Sequence, residues 1–429
     1  MTEEAKRTYE LVVFGASGYT GEFVAERVAK RAREVSLSWA VAGRNLAKLQ
    51  KVVDDIAKST GGNPSDVGII EADIEDETSL KQMCASCKVL LNCVGPYRFY
   101  GEPVVKACVE EKCDYVDISG EPQFLETMQL KYNEKARDNG VHIVGTCGFD
   151  SIPADIGTLF AREKFPGKAT QVESFVTIDV KSHGYGGHYG TWQSAIHGFA
   201  FQKELANIRR QLFPQPLRRI SPKLPKRVGS LGYYYNSKLS KYCMLFPGAD
   251  ASVVRRTQYY DLESHGIDPI QYGAYFTLPS IFAILRLFLF GLVFGILARF
   301  KTGRYLLETF PKFFSGGMFS HEGATRESMS GVSFSMVFFT SGYPSGTSPS
   351  ADDKPSLIHV TEVHGEEPGY VATSAMFVEA AITLLLEHSS LPNKGGVLTP
   401  ASAFRGTKLL DNLVRQGVQF VVHGEEYKA

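Results

Sequence analysis

The 429-residue chain has no charge bias: 46 lysines and arginines balance 46 aspartates and glutamates. No global field therefore draws it to nucleic acid. It also lacks the even cysteine framework of a disulfide-stapled secreted domain. Its seven cysteines sit mostly in apolar patterns, as Cys93, Cys108 and Cys147 do, which fits a reducing compartment. Cys84 and Cys87 form a lone C-x-x-C with no second pair and no histidine nearby, so they read as two helix cysteines and no metal site is expected. There is no G-x-S-x-G elbow and no H-E-x-x-H, which leaves little room for hydrolase or metalloprotease chemistry. No internal repeat is evident. Residues 1–6 have no apolar core, so no secretory or mitochondrial leader is expected.

What is present begins with glycine. Behind the apolar run at 10–14 comes Gly15-Ala16-Ser17-Gly18-Tyr19-Thr20-Gly21, and a helical pattern follows at once. A strand that ends in such a turn and enters a helix aims backbone N–H groups at a phosphate, where the helix N-terminus adds about half a positive charge. The first glycine permits the turn, the second lets a pyrophosphate approach, and the third lets helix and strand pack closely. Gly15, Ser17, Gly18, Tyr19, Thr20 and Gly21 are thus expected to bind a dinucleotide. The end of the next strand, at 37–43, separates the two nicotinamide cofactors. NAD is held by an acidic side chain there, NADP by cations. Residues 37–50 contain no carboxylate, whereas Arg44 and Lys48 are present. Arg44 suits a 2′-phosphate bidentately, so NADP(H) is expected over NAD(H).

Strand and helix patterns alternate as far as residue 150, with apolar runs at 67–72, 89–94, 115–118 and 141–145. Continuous apolar strands between helices imply a parallel sheet covered on both faces, with the ligand beyond the strands' carboxyl ends. The strand exits are therefore candidate site walls: Asp73, Cys93, Val94, Gly95, Pro96 and Tyr97 for the cofactor, and Tyr97, Asp117 and Cys147 for proton transfer. From 151 the runs at 172–181, 332–340 and 357–364 alternate with period two, as half-buried strands of a more antiparallel sheet do. Residues 341–356, rich in Ser, Gly and Pro, read as an exposed loop. His183 and His188 flank a glycine stretch, and Thr191 is placed to cap a helix starting at Trp192. His188 and Tyr189 are the second-domain site candidates, against the plainer reading of a mobile loop with water-facing histidines. The fold class is α/β: a Rossmann-like doubly wound parallel sheet at 1–150, a mixed α/β domain at 151–370, and a C-terminal helix and strand at 371–429 packing back on the first domain.

The strings Gly15 to Gly21, Ala42-Gly43-Arg44, Asn92 to Pro103, Asp117 to Glu121, Gly148 to Asp155 and Gly190-Thr191-Trp192 occur in one order. In this the chain resembles the saccharopine dehydrogenase family and, within it, the saccharopine dehydrogenase-like oxidoreductases of animals, nearly end to end. The resemblance implies a Rossmann domain, a mixed second domain and hydride transfer with NAD(P), with Asp117 and Cys147 bordering nicotinamide and substrate. The arginines with which saccharopine reductases hold a polycarboxylate substrate have no match that can be placed here. The resemblance extends to bacterial enzymes that reduce double bonds in lipid precursors, which implies a lipid-like substrate as readily as an amino acid.

One segment fits no ordinary enzyme. Residues 281–298 are apolar all round except for Arg286, and Arg299, Lys301 and Arg304 follow. Such a run lies at the lower edge of what spans a bilayer. Each large apolar residue gains about 0.3–0.6 kcal/mol on insertion and a central arginine costs about 2.5–3.5, so the apolar residues win. The segment 279–300 reads as a re-entrant or monolayer-embedded anchor, with Gly291 and Gly295 permitting a bend, or else as a helix of a core or homodimer interface. Arg209, Arg210, Arg218, Arg219, Lys223, Lys226 and Arg227 form a basic stretch that suits anionic headgroups or is a solvated linker. The expectation is an NADP-dependent oxidoreductase on the cytosolic face of a membrane, most naturally a lipid droplet. A cofactor-binding scaffold or redox sensor without turnover, and saccharopine reduction, are the rivals.

Overall fold

In the computed structural model, residues 7–181, 185–218, 223, 227–229, 231–347 and 353–427 are described. Residues 1–6, His183, Arg219 and Lys226 lie outside that set. The chain forms two compact units: 1–149 with 204–212 and 369–416, and 150–203 with 213–368 and 417–429.

The first unit starts β1 (Tyr9–Phe14), α1 (Tyr19–Glu34), β2 (Trp39–Gly43), α2 (Leu46–Thr60), β3 (Val67–Glu71), α3 (Glu77–Ser86), β4 (Cys87–Asn92), α4 (Tyr97–Glu110), β5 (Asp114–Asp117), α5 (Pro122–Asn139) and β6 (His142–Val144). The chain continues through α6 (Ile152–Glu163), β7 (Gly167–Val180), β8 (Gly187–His188), α7 (Tyr189–Ala200), α8 (Gln202–Leu212), β9 (Tyr233–Asn236), β10 (Lys241–Leu245), α9 (Asp250–His265), β11 (Gln271–Leu278) and α10 (Ile281–Ala298). After these come α11 (Lys301–Thr309), α12 (Pro311–Phe314), β12 (Phe319–Ser320), α13 (Arg326–Met329), β13 (Val332–Pro344) and β14 (Leu357–Glu366). Then α14 (Thr373–Leu386), β15 (Gly396–Leu398), α15 (Pro400–Phe404) and α16 (Leu409–Arg415) return to the first unit, and β16 (Gln419–Tyr427) ends in the second. Residues 371–429 are thus divided between the units rather than kept together.

The first sheet is ordered β15-β6-β5-β4-β1-β2-β3, and all its pairings are parallel. Leu11, Val12, Val13, Ala40, Val41, Leu90 and Leu91 are sealed from solvent, as expected of strands packed on both faces. The second sheet is ordered β16-β14-β13-β7-β11-β10-β9. Only β7 and β11 pair in parallel; its other pairings are antiparallel. On β13, Val332, Phe334, Met336 and Phe338 are buried while Ser333 is exposed, which is period-two patterning.

Three local expectations are corrected. β13 runs on to Pro344 rather than ending at the start of a loop, because Gly342 pairs closely with β7; a Cβ there would lie 2.1 Å from the Lys168 carbonyl oxygen. Cys84 and Cys87 do not share a helix: Cys87 opens β4. Their sulfurs lie 3.6 Å from Cys108 and 3.5 Å from Cys113 respectively, and all seven cysteines are free. Finally, α7 starts at Tyr189, and its cap is the His188 ring rather than Thr191.

Candidate functional site

At the carboxyl edge of the first sheet the exit loops are tied to one another. The Gly15 amide donates to the Ala42 carbonyl at 2.8 Å, that of Cys93 to Phe14 at 2.9 Å, and that of Ala72 to Gly43 at 3.2 Å. Gly15, Arg44, Asp73 and Cys93 therefore stand along one edge. Gly15 has φ +80°, and a Cβ on it would meet the Val94 side chain at 2.7 Å. On Gly21 a Cβ would lie 2.1 Å from the Gly15 carbonyl oxygen, so only glycine lets α1 start so close to β1. The α1 N-cap is Gly18, which has no side chain to cap the first turn. This turn is an uncapped positive helix end behind a glycine cradle, and it fits a pyrophosphate.

Tyr19 stands edge-on to Tyr370, their ring centroids 4.8 Å apart, and Phe23 completes the cluster. Arg44 and Lys48 are exposed just past β2 and form no side-chain ion pair among the described residues. Asn45 caps α2 through the Lys48 amide, which fixes the turn that presents Arg44. Asp73 accepts from the Glu75 amide at 3.1 Å. Ser17, Gly95 and Pro96 lie in the same exit loops, and Thr20 lies in the first turn of α1.

A second helix end on this edge is filled. The buried carboxylate of Glu121 accepts from the Tyr97 amide at 2.9 Å and from that of Arg98 at 3.2 Å, at the start of α4. Sequence reasoning missed it because Glu121 acts 24 residues from the helix it caps.

The proton-transfer candidates in this unit are all engaged. The Tyr97 hydroxyl donates to the Asn92 carbonyl at 2.8 Å, and burial drives its pKa well up. The Cys147 thiol is buried and faces the Val144 carbonyl at 3.3 Å. Asp117 is sealed from solvent and accepts from the amides of Ser119 at 2.9 Å and Thr146 at 2.8 Å and from the Tyr115 hydroxyl at 2.9 Å. Burial nonetheless pushes its pKa up to about 6, outweighing those three donors. Asn92 extends the chain, donating to the Tyr115 hydroxyl at 3.1 Å and accepting from the Val94 amide at 3.0 Å. The exits of β4, β5 and β6 are thereby held in one network.

In the second unit His188 is half-buried, and its Nδ1 accepts from the Gly190 amide at 3.2 Å. Burial and the neighbouring His321 lower its pKa, and the ring caps α7. Tyr189 packs on His321 with ring centroids 4.4 Å apart. Asp250, which sequence reasoning also missed, is buried and its Oδ1 has no hydrogen-bond partner. Burial, reinforced by Asp150, pushes its pKa up to about 8.

α10 is unbroken through Gly291 and Gly295, and is about 27 Å long at 1.5 Å per residue. One side packs through Phe290 and Phe294 on Trp192, whose indole donates to the Leu307 carbonyl at 2.8 Å. On the other side Phe282, Leu285, Leu289, Leu292 and Ile296, three and four residues apart, are exposed, Phe282 by 73% and Leu289 by 67%. The basic stretch is partly consumed: Arg209 is bidentate to buried Glu126, and Arg227 to buried Glu173. Arg218 and Lys223 stay exposed.

The family described as saccharopine dehydrogenase NADP binding domain matches residues 11–144. A human saccharopine dehydrogenase-like oxidoreductase is 48% identical over 97% of this chain and 98% of its own length. A Caenorhabditis elegans lipid droplet localized protein is 38% identical over 97% of this chain and 99% of its own. Among solved structures, the apo saccharopine dehydrogenase (L-Glu forming) of Saccharomyces cerevisiae is 14% identical, with a TM-score of 0.54 over 98% of this chain and 100% of that one. That likeness is one of fold.

Proposed function

The chain belongs to the saccharopine dehydrogenase-like oxidoreductases, and on that premise we propose that it moves a hydride between NADP(H) and a lipid-like substrate while seated on a lipid surface. The observation that carries the cofactor half is the uncapped N-terminus of α1 over Gly15 and Gly21, with exposed Arg44 at the next strand exit. Bound there, NADPH supplies a hydride. The residues from Gly15 to Gly21 take the pyrophosphate, Arg44 and Lys48 take the 2′-phosphate, and the exits at Asp73 and Cys93 to Tyr97 take the rest. Calorimetry with NADPH and NADH tests this. Arg44→Ala is expected to weaken NADPH binding by about 10- to 100-fold, the worth of a charge-assisted pair, and to leave NADH unchanged. Equal affinity of the unaltered protein for both cofactors overturns the preference.

The lipid half rests on the exposed apolar stripe of α10 and gains support from the lipid droplet name of the nematode relative. An apolar surface of this extent marks an interaction site, and a helix of about 27 Å falls just short of a hydrocarbon core about 30 Å thick, which favours insertion into one leaflet over crossing. The address is then the cytosolic face of a membrane or droplet. Fractionation that finds the protein within an organelle lumen overturns it.

A second reading is favoured by one observation: Tyr97, Asp117, Cys147 and His188 are each committed to an internal hydrogen bond. A cofactor-binding protein without turnover, acting as sensor or scaffold on the same surface, needs no free proton donor. NADPH oxidation assayed across enoyl, carbonyl and imine substrates separates the two.

A further inference from the structure

The opposite edge of the first sheet, where strands begin, holds a group of side chains that the cofactor reading does not use. Asp114 opens β5, His142 opens the neighbouring β6, and His388 lies just beyond α14. One ligand atom from each lies within 4.8 Å of the other two. His142 is 2% exposed, whereas His388 reaches solvent.

The hydrogen bonds around His142 set a polarity. Its Nε2 lies 2.9 Å from the Pro392 carbonyl oxygen, which only accepts, so Nε2 carries the hydrogen. The neutral ring then presents a bare lone pair at Nδ1. That lone pair faces Asp114 Oδ1 at 3.4 Å, and an ionised carboxylate oxygen also only accepts. Two acceptors then face each other, and a proton or a metal ion between them relieves the repulsion. His388 Nε2 stands 3.8 Å from the other carboxylate oxygen, and its ring is nearly perpendicular to that of His142. Protons on His142 Nδ1 and His388 Nε2 answer the two contacts one by one, whereas a single metal ion answers both at once.

We propose that Asp114 Oδ1 or Oδ2, His142 Nδ1 and His388 Nε2 bind a zinc ion, with water from the exposed side as fourth ligand. Zinc bonds of about 2.0–2.1 Å in a tetrahedron place ligand atoms about 3.3 Å apart, against 3.4 Å from His142 to Oδ1, 3.8 Å from His388 to Oδ2 and no more than 4.8 Å across the set, so binding draws the three ligands slightly together. A coordinating histidine almost always donates its other N–H to a carbonyl or carboxylate, which is the part Pro392 plays. Asp114 is itself oriented by the His142 amide at 2.8 Å. The ion pins the returning segment around 388–392 to the start of two strands. No spacing in the sequence announces it, since His142 and Pro392 are 250 residues apart.

Full-length protein purified without a histidine tag, stripped with chelator and dialysed, is titrated with zinc by calorimetry, and separately with cobalt(II) by visible absorption. One equivalent is expected to bind, with the intense d–d bands of a tetrahedral cobalt site, and zinc is expected to raise the melting temperature. His388→Ala alters an exposed side chain and preserves the fold. It is expected to weaken binding by at least about 10-fold, the cost of losing even an outer-shell partner, and to remove the melting shift. Asp114→Asn gives the same loss. Absence of stoichiometric binding, or binding indifferent to His388→Ala, overturns the proposal and leaves a proton on His142 as the charge between the two acceptors.

Discussion

Among the described residues two helices approach the length and hydropathy of a membrane span, and the fold disposes of them in opposite ways. Most residues of the segment 368–386, which contains α14, are buried, whereas in α10, the more apolar of the two, only Ile284 and Ala298 are. α14 is enclosed in the first unit by α1, α16, β4 and β5, while α10 is covered in the second by α7 and α11 on one side. Hydropathy thus records a helix's demand for non-aqueous surroundings and not what meets it. Within α14 even the charge is internal: Glu379 is sealed from solvent and pairs with Arg31 of α1. The charge of α10, Arg286, is exposed.

The contrast can be broken most forcefully at Phe377, in the middle of α14 and sealed from solvent. Phe377→Ala is expected to cost about 3–5 kcal/mol in urea denaturation; a loss under 1 kcal/mol would mean that α14 is not a core helix. Next comes Glu379→Ala, which leaves Arg31 only the exposed Glu34 and is expected to cost about 3 kcal/mol, as removing one partner of a buried pair does. The second unit's buried carboxyl sharpens the point. Burial, reinforced by Asp150, makes Asp250 keep its proton instead, with a native pKa of about 8 against the ordinary 3.8. The folded state binds that proton more tightly than the unfolded chain, so stability falls as pH rises from about 4 to 8. Unfolding at pH 5 and 8 is expected to show about 3–4 kcal/mol of such loss, and Asp250→Asn is expected to flatten it. The smallest stability effect belongs to α10. Leu289→Asp is expected to change unfolding by no more than about 0.5 kcal/mol, yet to lower flotation with phospholipid-coated droplets about 100-fold, since a buried aspartate costs about 3 kcal/mol on insertion. A large loss of stability with flotation unchanged would make α10 a core helix after all.

The first sheet was legible because its strands are continuous apolar runs that stop at polar exits, and its glycine cradle because no other residue type permits the approach of Gly21 to Gly15. Arg44 was legible by what surrounds it: no carboxylate in 37–50. Less was legible wherever distant segments meet. That β15 would extend the first sheet beside β6, that Glu121 would cap α4, or that His188 would cap α7 depends on tertiary placement, which leaves no periodic trace. The same holds for the basic stretch, where two arginines are neutralised by the buried carboxylates Glu126 and Glu173. For α10 the residues gave the demand clearly, and only the fold showed which side stays uncovered.

Glu121 has a consequence for selectivity. A parallel sheet presents a row of positive helix ends along one edge, and each competes for any anion that arrives. Asn45 caps α2, Asp76 caps α3 and Glu121 occupies the end of α4, so the row is keyed: the end of α1 alone among these four has no side-chain cap. A ligand with phosphates at one end and an uncharged ring at the other enters such an edge in one direction only. Glu121→Gln removes the key while leaving the lock intact, and a cofactor that then binds in two registers would show how much of the orientation was set by this one carboxylate.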